Sequence, residues 1–288
     1  MSYVLVTDSS SDLPWSYYKE HSLPFLSLTV TIGDESFPDD GTMDSKTFFG
    51  RLRAGEVAST SMITMTAFAE FAEPILKEGK DILYIGLSSG LSGSHDNACQ
   101  ARSEFKERYP DREIYICNTF AASLGLGLMV HEARIRRDQG MGFRELCQWC
   151  EKTKLSFNHL FTVDDLMFLH RGGRVSKTQA VLGSALGIKP MLHVSPEGKL
   201  VKHGKVRGRS KSLTGLVDEM AAAADRKEFD TVTISHGDCE DEARFVMDEV
   251  KKRFTVRNEI INSLGVTVGA HSGPGTVALF FTGKERTE

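Results

Sequence analysis

The chain of 288 residues is poor in the features that most directly mark a function class. Its 5 cysteines, at 99, 117, 147, 150 and 239, are odd in number. They predict reduced thiols rather than a disulfide framework. No apolar run approaches the ~20 residues that a membrane-spanning helix requires. There is no G-x-x-x-x-G-K segment followed by Ser or Thr, which argues against nucleotide binding through a P-loop. No His, Cys and carboxylate set has the spacing of a metal site, so no metal or other cofactor is expected. Positive charge is not in excess: 35 basic against 39 acidic residues leave a net charge of −4, which argues against nucleic acid as a general partner. The start, Met1 to Asp8, has no basic stretch before its apolar run. It reads as a first strand and not a signal peptide, and predicts a cytoplasmic protein.

What is present is the composition of a globular protein, 40% hydrophobic and 26% charged, with room for one large or two ordinary domains. The first half alternates strand and helix patterns. Strands are predicted over Tyr3–Asp8, Phe25–Ile32, Ile82–Leu87 and Glu113–Cys117. Helices are predicted over Ser45–Leu52, Ala67–Leu76, His95–Arg108, Ala121–Asp138 and Gly142–Lys154, with Ser11 to Pro14 opening an earlier one. This order implies an α/β fold with a mostly parallel, doubly wound sheet. Beyond 157 the pattern changes. Ile188–Val194 and Lys199–Val206 flank Ser195-Pro196-Glu197-Gly198, the chemistry of a hairpin turn. With further helices at Leu213–Ala224 and Glu240–Lys252, the second half reads as α+β with an antiparallel sheet. Two domains are expected, 1–157 and 158–288.

Several segments could carry chemistry. Gly86 to Ser94 holds four serines and three glycines in nine positions, between a buried strand and a helix. That is the carboxyl end of a parallel sheet, where hydroxyls, close backbone approach and a helix N-terminus suit an anion; caps and turns alone would also use such residues. The same stretch satisfies G-x-S-x-G, and an esterase with Ser88 as nucleophile and His271 as base is the alternative reading. Ser59 to Thr64 is a second hydroxyl cluster, equally readable as a cap. The Cys147 and Cys150 pair reads as a redox motif or as two ordinary helix cysteines. Ala270 to Thr276 reads as a rigid loop between strands, carrying His271. Between Arg171 and Lys211 there are ten Lys or Arg and one acidic residue, Glu197. This basic stretch would suit an acidic partner, a phosphorylated ligand or an anionic membrane, or would be a solvated face.

Taken in order, Thr7 to Pro14, Leu87–Ser94, Gly172-Gly173-Arg174, Ile188-Lys189-Pro190, Lys205 to Arg209 and His271–Thr276 resemble the DegV family, the fatty-acid-binding subunits of bacterial fatty acid kinase. The family's usual T-S-Q-P-S segment stands here as Thr60-Ser61-Met62-Ile63-Thr64. The resemblance implies a two-domain fold with one long-chain fatty acid in an internal tunnel. It also implies a non-catalytic carrier that presents the ligand's carboxylate to a kinase catalytic subunit for acyl-phosphate formation in phospholipid synthesis. By motif, Thr60, Ser61, Ser92, Gly93 and His271 would hold the carboxylate. Arg171, Arg174, Arg207 and Arg209 would face the kinase or make a transient contact with an anionic membrane.

Overall fold

The structure is a computed structural model and describes residues 2–177 and 187–287. In chain order the first half begins with β1 (Tyr3–Asp8), α1 (Trp15–Glu20), β2 (Phe25–Leu26), β3 (Thr29–Ile32) and β4 (Glu35–Pro38). It continues through α2 (Ser45–Arg53), β5 (Ala58–Ser61), α3 (Met65–Lys77), β6 (Asp81–Gly86) and α4 (Ser94–Arg108). β7 (Ile114–Asn118), α5 (Ser123–Asp138) and α6 (Phe143–Thr153) complete it. The second half contains β8 (Phe157–Thr162), α7 (Met167–Arg171), β9 (Ile188–Val194), β10 (Leu200–Arg207) and α8 (Arg209–Ala223). β11 (Glu228–His236), α9 (Glu240–Lys251), β12 (Thr255–Ser263), α10 (Val266–Ser272) and β13 (Val277–Thr282) follow.

The expected parallel sheet is present, with strand order β2-β1-β6-β7. Every residue of β6 is buried, as a central parallel strand covered on both faces requires. The second-half sheet has six strands in the order β10-β9-β8-β13-β11-β12. It is mixed and not wholly antiparallel, because β11 and β12 run parallel across the helix α9. The turn expected at Ser195–Gly198 does join an antiparallel pair, β9 and β10.

Three local expectations change. The run Phe25–Ile32 is two strands, β2 in the parallel sheet and β3 in a separate antiparallel sheet of order β4-β3-β5. Asp12 does not open a helix: it is buried in a left-handed conformation, φ 51°, and Pro14 stands at the N-cap of α1. The segment before Thr276 is not all loop, since α10 carries His271 in its last turn. Gly273 and Gly275, at φ 77° and 75°, then turn the chain into β13, a conformation that glycine adopts without steric cost.

The core crosses the midpoint of the chain. Leu5 and Leu124 share one cluster with Phe161 and Phe280, and Val266 and Ala270 of α10 pack on Val30, Phe48 and Phe49 of the small sheet and α2. α5 meets β8 closely: a Cβ on Gly125 would lie 2.1 Å from His159 Nε2, whereas one on Gly50 of α2 would touch nothing within 4 Å. Gly125→Ala should therefore lower stability by about 1–3 kcal/mol, the usual penalty of overpacking. Gly50→Ala should raise it by up to about 1 kcal/mol through helix propensity. Urea unfolding of the two variants checks both signs.

Candidate functional site

Strand alternation selects which hydroxyl of the Ser59–Ser61 segment faces inward. On β5 Thr60 is half-buried while Ser59 and Ser61 are exposed, because successive side chains leave opposite faces. From that position Thr60 Oγ1 lies 2.8 Å from His271 Nε2, linking residues 211 positions apart. Both line a cavity with Ser92 and Gly93, and its further walls include Leu28, Leu87, Phe161, Leu169, Val194 and Phe280. About 1010 Å³ lies between these walls, mouth included. Sites for small organic ligands are lined mainly by apolar groups with a few convergent polar ones.

The polar end is assembled by the loop that follows β6. Ser88 N–H donates to Ala121 O and Ser92 N–H to Ser88 O, which carries the chain round to Gly93 at the N-cap of α4. Ser92 Oγ lies 2.9 Å from Ser94 Oγ and accepts from Ser94 N at 3.2 Å. A Cβ on Gly93 would stand 2.7 Å from Met62 Sδ, so a side chain there would have to displace the end of that exposed methionine. The start of a 15-residue helix, with Gly93 at its N-cap, thus lines the same cavity as Thr60 and His271, and the first N–H groups of a helix favour an anion.

Three buried carboxylates position these pieces. Asp8 accepts from Tyr84 OH at 2.7 Å and from Leu87 N at 2.9 Å, at the head of the loop. Asp12 accepts from Ser123 Oγ at 2.5 Å and Gly265 N at 3.0 Å, and Asp39 accepts from Thr267 N at 3.2 Å, at the start of α10. Burial raises all three pKa values, Asp39 to about 6. Ser123 and Thr267 themselves line the cavity. Sequence reasoning missed these supports; the Asp8 and Asp12 signal lay in Thr7 to Pro14, which periodicity reads as a strand end and a cap.

The arginines separate. Arg171 and Arg207 are exposed, Arg171 lying over the Phe168 ring at 4.5 Å. Arg174 instead lines the cavity and donates to Leu91 O at 2.9 and 3.1 Å and to Gly172 O. Arg209 is mostly buried, paired with Glu242 and donating to Gly275 O at 2.6 Å. Part of the basic stretch, 178–186, lies outside the described residues. Ser88 and His271, the pair of the esterase reading, are not brought together. Ser88 is fully buried, donates to Gly198 O at 2.9 Å and accepts from Gly90 N, while His271 bonds Thr60. A nucleophile needs a base within hydrogen-bond reach. Cys147 and Cys150 are buried, free cysteines, and burial pushes the Cys147 thiol up to about 12. They behave as core residues of α6.

His271 is held neutral. Burial, reinforced by the charge of Arg174, lowers its pKa from 6.5 to about 4, and its Nδ1 is buried with no partner among the described residues. Since the unfolded chain takes up this proton first, the stabilising contribution of His271 is complete above about pH 6.5 and is lost as pH falls toward 4. Asp39 acts in the opposite sense: its contribution is complete below 3.8 and is lost as pH rises through about 6. It is common to the wild type and a His271→Gln variant, so it cancels between them. Between pH 6.5 and 4 the wild type should lose up to about 3 kcal/mol more than His271→Gln, measured by urea unfolding across that range.

Comparison with known proteins agrees with this architecture. The DegV family model matches residues 2–284. A DegV domain-containing protein of Clostridium perfringens is 38% identical over 283 residues, covering 98% of this chain and 97% of its own. A DegV family protein from Thermus thermophilus, described by its fatty acid binding, superposes with a TM-score of 0.89 at 29% identity, covering 98% of this chain and 100% of its own. A DegV lipid-binding protein from Thermotoga maritima gives a TM-score of 0.87 at 27% identity over 100% of both chains. With its parallel sheet, its mixed sheet and this cavity, the chain belongs to the DegV family.

Proposed function

We propose that this protein binds one long-chain fatty acid in the cavity and presents the carboxylate to the catalytic subunit of a fatty acid kinase in the cytoplasm, acting as a carrier and not as the catalyst. The observation that carries the binding half is the Thr60–His271 pair in the wall of a mainly apolar cavity. Burying an acyl chain yields about 0.8 kcal/mol per methylene, on the order of 10 kcal/mol for a sixteen-carbon chain before ordering costs. The carboxylate must then find donors, because an unpaired buried charge is expensive. Thr60, Ser92, the first N–H groups of α4 and His271 supply them. Ser61, exposed on the other face of β5, is left outside this set.

The fatty acid binding described for the Thermus thermophilus relative and the lipid binding described for the Thermotoga maritima one support the ligand class, and the sequence resemblance supports the kinase. Of the four arginines, Arg171 and Arg207 are the exposed ones, available to dock that partner or an anionic membrane. Arg174 and Arg209, engaged with backbone carbonyls and Glu242, support the site from within. The carrier comprises domains 1–157 and 158–288, whose facing surfaces together make the tunnel.

Mass spectrometry of the denatured, solvent-extracted protein should find about one long-chain acid per chain. An empty sample that also refuses added long-chain acids would sink the proposal. Thr60→Val, Ser92→Ala and His271→Ala should each weaken binding of a fluorescent fatty acid by about tenfold or more, the loss expected for one hydrogen bond to a charged group.

A further inference from the structure

Arg286 is a cation buried to 7% exposure, with no carboxylate paired to it among the described residues. Its guanidinium lies among backbone carbonyls instead. One Nη donates to Phe120 O at 2.9 Å, Ser195 O at 3.2 Å and Val194 O at 3.3 Å, and the other to Lys154 O at 3.3 Å. Burial lowers its pKa to about 10, so it keeps its charge at neutral pH. The acceptors come from three separate places: the loop after β7, the segment between α6 and β8, and the β9–β10 hairpin. Arg286 therefore fastens the hairpin to the first half of the chain.

A second tie meets the same hairpin. Ser88 Oγ donates to Gly198 O at 2.9 Å, and the turn lies directly on the loop below it. A Cβ on Gly90 would come within 2.7 Å of Glu197 O and 2.8 Å of Gly198 O, and one on Gly198 within 2.0 Å of Ser88 Oγ. The residues flanking this turn, Val194 and Leu200, are part of the cavity wall. Position of the turn and width of the cavity are thus one variable.

We propose that Arg286 and Ser88 are positioning residues that select the bound acid, by pinning the β9–β10 hairpin as a fixed wall of the cavity. This rests on the reading of the cavity as a fatty acid site. Without the guanidinium, the carbonyls of Phe120 and Val194 lose this donor and must turn toward water to regain one, while Ser195 O keeps only the N–H of Gly198 within the turn. The hairpin then moves off the loop, and the apolar space beside Val194 and Leu200 widens. Acids that are longer, bent or branched gain entry, and every bound acid leaves sooner. The head-group contacts at Thr60 and His271 stay as they are.

The test compares wild type with Arg286→Met, Arg286→Lys, Ser88→Ala and, as a control on the same tail, Lys284→Ala, all produced in one host. Extracted acids are quantified by mass spectrometry and release of a fluorescent fatty acid is timed, with thermal melts to confirm folding. Arg286→Met and Ser88→Ala should carry a broader set of acids than wild type and release the probe about tenfold faster, since affinity changes within one site fall mainly on dissociation. Arg286→Lys should lie between, and Lys284→Ala should match wild type. A folded Arg286→Met with unchanged acids and release rate would overturn the proposal. Should that variant not fold, Ser88→Ala decides, because it leaves the guanidinium in place: unchanged selectivity and release there overturn it equally. An empty wild type removes the fatty acid reading and this inference together, whereas a loaded wild type with indifferent variants removes only this one.

Discussion

Three carboxylates held out of water without a cation are the constraint on which the site depends. Asp8, Asp12 and Asp39 are buried, and none makes an ion pair among the described residues. A charge in that position has to be met by donors fixed in place. Each donor these acids recruit belongs to a segment the cavity needs. Asp8 takes Leu87 N–H and so aims the serine loop. Asp12 takes Ser123 and Gly265, and Asp39 takes Thr267, which together set the start of α10 and, one turn on, His271. Polar demand is used as scaffolding, and the apolar space lies between the pieces it holds.

Arg286 repeats the device with the opposite charge, surrounded by carbonyls where the acids are surrounded by N–H and O–H groups. The serine of the G-x-S-x-G pattern serves the same end, its hydroxyl spent on Gly198 O. A motif that in another setting prepares a nucleophile here braces a hairpin. The difference lies in the neighbours: among the described residues no imidazole reaches Ser88, and the one histidine with a matching role in sequence is occupied by Thr60. Chemistry belongs to the constellation of groups and not to the five-residue pattern.

The strongly periodic elements were legible from the residues alone. β1 and β9 begin and end at the residues expected for them, Tyr3–Asp8 and Ile188–Val194, and the Ser195–Gly198 hairpin follows from its turn residues. Weakly patterned elements were not. β4 is exposed along most of its length, and β5 is Ala-Ser-Thr-Ser, so neither shows an apolar alternation. α10, Val-Thr-Val-Gly-Ala-His-Ser, carries β-branched residues and a glycine that disfavour helix; its packing on Phe48 and Phe49 supplies the stability that propensity does not. The run Phe25–Ile32 keeps one pattern while serving two sheets, because alternation reports burial of a face and not which partner buries it.

The sequence by itself determined the inventory: an α/β chain, a hydroxyl- and glycine-rich loop between strand and helix, a histidine beside a glycine turn, and a basic stretch in an acidic protein. Tertiary structure decided the use of each. It turned Thr60 inward and Ser61 outward, joined Thr60 to a histidine 211 residues away, and divided like arginines into exposed Arg171 and Arg207 and structural Arg174 and Arg209. Side-chain type sets what a group can donate or accept, and is local. Whether it meets water, a carbonyl or an apolar cavity depends on segments far off in sequence, which come together only when the core closes.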